Sequence, residues 1–462
     1  MTSRLGMRIG PYAEILRLVW PLALGMVNNA VMQFVDRAYL ARYSMEALEA
    51  VLPAAMLAWI FLSFFQSVVS YAGVFVSQYH GAGDDARCTG SYRAGLLIAL
   101  VSGVLMLPLV PLGGWVFAAT ARSPELAAME RAYYDIVAAG GVFVFVQMAA
   151  SAYFTGRGRT RLVFWVNVLG NLLNIALDPV LIFGLFGAPR LGIAGAAYAT
   201  VAATAVQCVA LFAFAHRGAP EAHRVAAVSD TLAVAARVLR FGVPSGGYSV
   251  LNILSFTIFV FVTGRVGDVE FAASNACFTV NYLLFAPMEG FALGAQTLVG
   301  QARGRGDDAE AFAAARRTIL LGVGFVSMMA AFVLAFHSPI LELFAPPDAS
   351  DRAQFMSLGF TLFLFMETWM LFDAMDVILS GALKGAGDSR FVFWWMLVAS
   401  FLLWMPLVAL AAKFWNTMPA LWGTMVVYVV VISIGSLVRW KRGRWRAIKL
   451  IDSSGQKGGT RE

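Results

Sequence analysis

The stretches "QYHGAGDDARC" (78–88) and "QARGRGDDAEA" (301–311) are near copies of one another, 223 positions apart. A second pair, "TGRGRTRLVFW" (155–165) and "KGAGDSRFVFW" (384–394), recurs at an offset of 229. Pro21 matches Pro244 at 223, and Gly195 matches Gly423 at 228. Self-similarity at one long period, about 225 residues here, marks a duplicated unit. The glycines of "GAGD" and "GRGDD" have no strand before them, and no Gly-Lys-Ser/Thr element follows, so they do not form a nucleotide loop. They are read as tight turns closing helical hairpins.

Outward from these turns the chain is a series of apolar runs. They fall near 15–40, 48–78, 92–118, 132–153, 162–184, 192–215, 237–263, 271–300, 316–338, 354–380, 391–412 and 421–439. A bilayer core of ~30 Å needs roughly 20 apolar residues per helix. The 462 residues are 60% hydrophobic and 13% charged, with mean hydropathy +0.73. A soluble protein needs more polar surface. The expectation is an all-α integral membrane protein of twelve transmembrane helices. Sixteen prolines and 43 glycines fit that class, because neighbouring helices re-satisfy the backbone.

Each copy holds six spans, an even number, so both insert the same way up. Two six-helix lobes are then related by a pseudo-two-fold axis along the membrane normal, an arrangement known from transporters. The lobes are placed at 1–215 and 237–440. A linker at 216–236 joins them; its end reads as an amphipathic helix. A basic tail follows at 441–462.

Eight of the 34 basic residues fall on one set of connections: Arg37, Arg42, Arg122, Arg131, Arg190, Arg265, Arg352 and Lys413. The other 26 fall on the opposite side, so both termini are expected in the cytoplasm. The first apolar run, preceded by Arg4 and Arg8, reads as a retained span. "RWKRGRWRAIKL" (439–450) reads as an anchor on anionic headgroups rather than a nucleic-acid contact.

Acids inside apolar runs carry the chemistry, since one at mid-membrane costs about 2.5–3.5 kcal/mol. They are Asp36, Asp178, Glu289, Glu367, Asp373 and Asp376. In "NLLNIALDPVLIF" (171–183), Asn174 and Asp178 are four apart and share a helical face. A carboxylate with an amide carbonyl suits a hard monovalent cation; desolvation equally favours a protonated acid. Pro179 removes a backbone donor and frees a carbonyl. Thr200, in the small-residue stretch "GIAGAAYATVA", offers a hydroxyl. A bland reading stands beside this: Asn174 and Asp178 hydrogen-bonding in a polar core, and Asp36 paired with Arg37 at the membrane interface. Asp373 and Asp376 can share a face, with Glu367 on another, as structural contacts or substrate ligands. Glu289, between Pro287 and Gly290, reads as a group that attracts substrate. Aromatic residues in a cleft can stack on flat organic cations. Cys88, Cys208 and Cys277 suggest no disulfide framework. No catalytic constellation or zinc spacing is visible, so the chain does not read as an enzyme, and no ATPase domain is present.

These residues resemble the multidrug and toxic compound extrusion (MATE) transporters along nearly the whole chain. The likeness rests on "WPLALGMVNNAVMQFVDRAYLAR", "NIALDPVLIFGLFGAPRLGIAGAAYAT", "APMEGFALGAQTLVGQARGRGD" and "FDAMDVILSGALKGAGDSR". It implies the MATE fold and an outward efflux pump exchanging cationic or amphipathic drugs for H⁺ or Na⁺, with no cofactor beyond the coupling ion. The archaeal and DinF-like branch implies a coupling site, and a possible Na⁺ site, at Asp36, Asn174, Asp178 and Thr200, with Pro21 as the bending proline. The NorM-like branch has a span-7 Glu where this chain has Asn252 and a span-10 Asp matched by Asp373, so the resemblance leans to the DinF-like branch. Arg37 departs from the usual small polar residue. The expected partners are small organic cations and membrane lipids, and the expected state is a monomer. The rivals are a flippase for lipid-linked precursors, which requires a cationic cleft, and a channel-like module.

Overall fold

The computed structural model describes residues 10–120, 123–217 and 228–451. Among them, regular structure is entirely helical. The spans are α1 (Pro11–Tyr43), α2 (Met45–Gly81), α3 (Asp85–Thr120), α4 (Pro124–Ala139 with Gly141–Gly156), α5 (Thr160–Phe183), α6 (Ile193–Arg217), α7 (Val228–Thr263), α8 (Asp268–Gly304), α9 (Asp308–Ala335), α10 (Ala349–Gly385), α11 (Ser389–Phe414) and α12 (Met418–Lys441). Eleven of them are single helices long and apolar enough to cross a bilayer; α4, bent by 42° at Gly140, makes the twelfth. Residues 218–227 of the expected linker lie outside the described residues. From Val228 the chain is helical and runs on without a break as α7.

The duplicated turns have a shared chemistry. Gly83 and Gly306 both sit at φ +75°, in the left-handed region where a Cβ is costly. The next residue caps the following helix: Asp84 accepts from the Arg87 N–H at 2.9 Å and Asp307 from the Glu310 N–H at 2.8 Å. The "GDD" of each copy is therefore a helix stop followed by a helix start.

The lobes interlock rather than merely abut. α1 packs on α8, and α7 packs on α2 and α3. Ile15, Leu18, Val19, Leu22 and Ala23 of α1 belong to the core of the second half, while Ala235 and Val238 of α7 belong to the core of the first. Gly290 and Gly294 permit the α1–α8 contact, since a Cβ at either would strike the backbone of Ala23 or the side chain of Val19.

At the end carrying the duplicated turns, here called the basic end, the halves are joined by reciprocal bonds. Gln78 Nε2 donates to the Gly385 carbonyl and Gln301 Nε2 to the Gly156 carbonyl, each at 2.9 Å. Both glutamines open a copy of the first motif; both glycines lie in a copy of the second. A Cβ on Gly81 would collide with the Gln301 carbonyl, and one on Gly304 with that of Gln78. Deeper in, Tyr71 OH donates to the Lys384 carbonyl at 3.0 Å, and Ser67 meets Ser249 at 2.7 Å.

Residues 444–451 fold back onto the basic end. Trp445 is fully buried and stacks on Trp440 with centroids 4.5 Å apart. Arg303 donates to the carbonyls of Arg446 and Ile448 at 3.1 and 2.8 Å, and Arg237 to that of Leu450. One face of this segment, Trp445 and Leu450, is thus seated on protein, while Arg444, Arg446 and Lys449 stay exposed. Residues 452–462 lie outside the described residues.

Candidate functional site

Two polar clusters interrupt the apolar interior. The first lies in the amino-terminal half, towards the end opposite the duplicated turns. α1 supplies Asp36, α5 supplies Asn174 and Asp178, and α6 supplies Thr200. Asn174 and Asp178 have no exposed surface; Asp36 and Thr200 are half-buried. With its amide nitrogen towards α1, Asn174 donates to Asp36 Oδ1 at 2.9 Å and accepts from the Thr200 N–H at 3.2 Å. That end of the amide is also 3.4 Å from the Thr200 hydroxyl. The Asp36 and Asp178 carboxyls face one another within hydrogen-bonding reach.

Among the described residues, neither oxygen of Asp178 has a protein donor. Two facing carboxylates are both acceptors and repel; they hold together only around a proton or a cation. The donor set fits such a particle, with up to four carboxylate oxygens from the two acids; the Thr200 hydroxyl donates to the Ala196 carbonyl at 3.0 Å and borders the set through Asn174. Arg37 is exposed, and among the described residues it is not in an ion pair with Asp36. Its guanidinium still acts on Asp36 through space, without a direct pair. Pro21 lies buried inside the unbroken α1, fifteen residues before Asp36 in the sequence.

Sequence reasoning missed part of this cluster. Tyr133 of α4 lies beside both acids; nothing in "RAYYD" singles it out. A ladder of amides continues from Asn174 along α5: Asn171 donates to Asn29 at 2.8 Å, Gln207 to Asn171 at 3.3 Å, and Gln147 to Asn167 at 3.1 Å. Here a signal existed. Asn167, Asn171, Asn174 and Asp178 recur at spacings of four, three and four, the stripe of one helical face.

The second cluster lies between α7, α8, α10 and α12. Asp376 is buried and accepts from Ser436 at 2.6 Å. Asp373 and Glu289 are its charged neighbours, and Glu289 remains accessible. Lys384 of α10 turns its ammonium into this group, 4.0 Å from the Tyr248 ring centroid, with Glu289 and Asp376 nearby. Lys384 had been read only as part of a turn. Its long stem carries the charge away from the turn, which spacing cannot reveal. Glu367 is not part of either cluster: it is buried, both oxygens lack a donor, and no charged neighbour acts on it among the described residues. Asn252 is exposed on α7.

Comparison with known proteins places this geometry in context. The chain matches the MatE family profile over residues 21–180 and 244–410, two segments that begin at the paired prolines Pro21 and Pro244. It is 28% identical over 444 residues to a probable multidrug resistance protein NorM of Pseudomonas aeruginosa, covering 93% of this chain and 89% of that protein. It is 27% identical over 389 residues to the protein of the same description from Bradyrhizobium diazoefficiens, covering 82% of each. Among solved structures, it superimposes on an outward-facing multidrug resistance MATE family transporter with a TM-score of 0.84 at 19% identity, covering 96% of this chain and 97% of that one. The two profile segments span most of the chain, one in each half, and their order repeats the duplication read from the turns. The chain belongs to the MatE family of multi-pass membrane transporters.

Proposed function

We propose that this chain is a proton-coupled multidrug efflux antiporter, in which Asp36 and Asp178 form the exchangeable cation site. The observation that carries this reading is the facing pair of buried carboxyls, with Asp178 lacking any protein donor among the described residues. The relatives described as multidrug resistance proteins support export of amphipathic organic compounds. The Asp36 and Asp178 carboxyls lie within hydrogen-bonding reach of one another, a spacing that one shared proton bridges directly, and this supports H⁺ as the coupling ion.

In this mechanism the acids exchange a proton for the drug across two conformers. Coupling requires that protonation favour one conformer over the other. α1 is suited to transmit it, because it holds Asp36 and Pro21 and also packs into the second half. Interfaces of this kind switch between discrete arrangements. The polar set on α1, α5 and α6 supports a place in the DinF-like branch. The excess of basic residues at the turn end supports a cytoplasmic position for that end in a bacterial inner membrane. A single chain holds both clusters, which supports a monomer. A lipid-linked precursor flippase is the weaker reading, because the second cluster sets three carboxyls against one lysine.

The test is dye efflux from proteoliposomes under an imposed pH or Na⁺ gradient. Wild type is expected to respond to the pH gradient, and Asp178→Asn to bind dye without gradient-driven efflux. Normal driven efflux by the variant overturns the site; a response to Na⁺ alone overturns the choice of ion.

A further inference from the structure

We infer that the second cluster is an organic-cation subsite occupied in this conformation by the protein's own Lys384, which substrate must displace. The inference rests on the reading that this chain carries organic cations.

The subsite is built like a receptor for an ammonium. Tyr248 presents its ring face, and the Lys384 ammonium lies 4.0 Å from the centroid, close enough for a strong cation–π contact. Glu289, Asp373 and Asp376 surround the same space and give it an excess of negative charge. Among the described residues, Lys384 is in no ion pair with these acids. Its ammonium is seated on the ring rather than locked to a carboxylate, as a bound organic cation would be. Asp376 is held by Ser436 at 2.6 Å, and Ser400 meets Tyr428 at 3.1 Å, so the wall is preorganised. Glu289 is accessible and offers the entering cation a first contact.

The lysine also lies at the seam between the halves. Its own carbonyl accepts from Tyr71 and the next carbonyl, of Gly385, accepts from Gln78, both in the first half. A cation that ejects the ammonium therefore acts on a residue whose backbone is held across the seam. A lysine tethered in the site competes with every monocation, and removing it takes away both the competitor and a repulsive charge.

The experiment is equilibrium binding of ethidium to purified full-length protein in lipid nanodiscs, with no ion gradient. Lys384→Met is expected to bind ethidium about tenfold more tightly than wild type. Lys384→Arg keeps the positive charge and is expected to retain wild-type affinity. In the Lys384→Met background, Tyr248→Leu is expected to cancel most of the gain. Glu289→Gln in otherwise wild-type protein is expected to weaken binding several-fold, which gives an independent readout should Lys384→Met fail to fold. Unchanged or weaker binding by folded Lys384→Met, a gain that survives Tyr248→Leu, or absence of binding to wild type and Lys384→Met alike overturns the subsite. Loss of pH-gradient-driven efflux with Lys384-dependent binding intact would instead count against the proposed coupling and leave the subsite standing.

Discussion

The two polar clusters occupy the two halves of one duplicated scaffold, yet their charges are arranged differently. In the first half, two acids face each other with an amide and a hydroxyl, and the nearest cation, Arg37, is exposed and forms no ion pair with them among the described residues. In the second, three acids share their space with a lysine and an aromatic ring. A carboxyl pair without an internal counter-charge must take a particle from outside, and a proton suffices. Acids that share their space with a tethered ammonium, and outnumber it, can exchange it for a larger cation. The helical scaffold is shared by the two halves; the polar residues it carries on α1, α5, α8 and α10 are not.

The sharpest way to break this comparison is to neutralise each cluster in turn. Asp36→Asn or Asp178→Asn is expected to reduce pH-driven efflux on the order of 100-fold, the scale of a buried charge interaction left incomplete. Asp376→Asn should lower efflux by less and leave the response to the pH gradient intact. Equal loss of proton response from both clusters would end the division of roles.

The next effect concerns the seam. Gly304→Val places a branched side chain against the Gln78 backbone, which should hold the basic end open. Expected is a loss of efflux of about tenfold or more, with faster thiol labelling of a cysteine introduced at Gln301. Unchanged labelling would show that the seam tolerates the side chain and does not govern closure.

Trp445→Ala removes a fully buried ring stacked on Trp440. It should cost about 3 kcal/mol of stability, seen as a lower Tm in detergent, with ethidium affinity unchanged. The smallest effect tests the pseudo-symmetry itself. Gln78→Ala and Gln301→Ala each delete one of two equivalent bonds, worth about 1 kcal/mol. The two should change efflux several-fold and to the same extent; a clear difference would show that the halves do not share the seam evenly.

Much of the first cluster was legible because helical spacing is a local property. Asn174 and Asp178 share a face by arithmetic, and the cost of an acid in an apolar run marks Asp36. The second cluster was legible only as a set of acids. Asp373 and Asp376 were flagged, but their neighbour Lys384 lay in a motif that reads as a turn. Glu367 drew the same attention as the other acids and stands alone. The tail reads as basic and amphipathic; that Trp445 and Leu450 seat its apolar face on the basic end was not legible, because their partners lie far away in the sequence.

The sequence by itself determined the number of spans, the duplication, the turn chemistry of Gly83 and Gly306, and the face shared by Asn174 and Asp178. These follow from hydropathy and from periods of a few residues. Only the tertiary structure decided that α1 packs on α8 and α7 on α2, that Lys384 meets Tyr248, and that 444–451 closes the basic end. The reason is the solvent. In a lipid-embedded chain the outer surface is as apolar as the core, so hydrophobic patterning does not say which face is inside. Trp165 and Leu402 are exposed, and Trp422 and Leu421 are fully buried, with no difference in chemistry between them. Which faces meet was set by small residues and by a few polar groups whose partners lie hundreds of positions away.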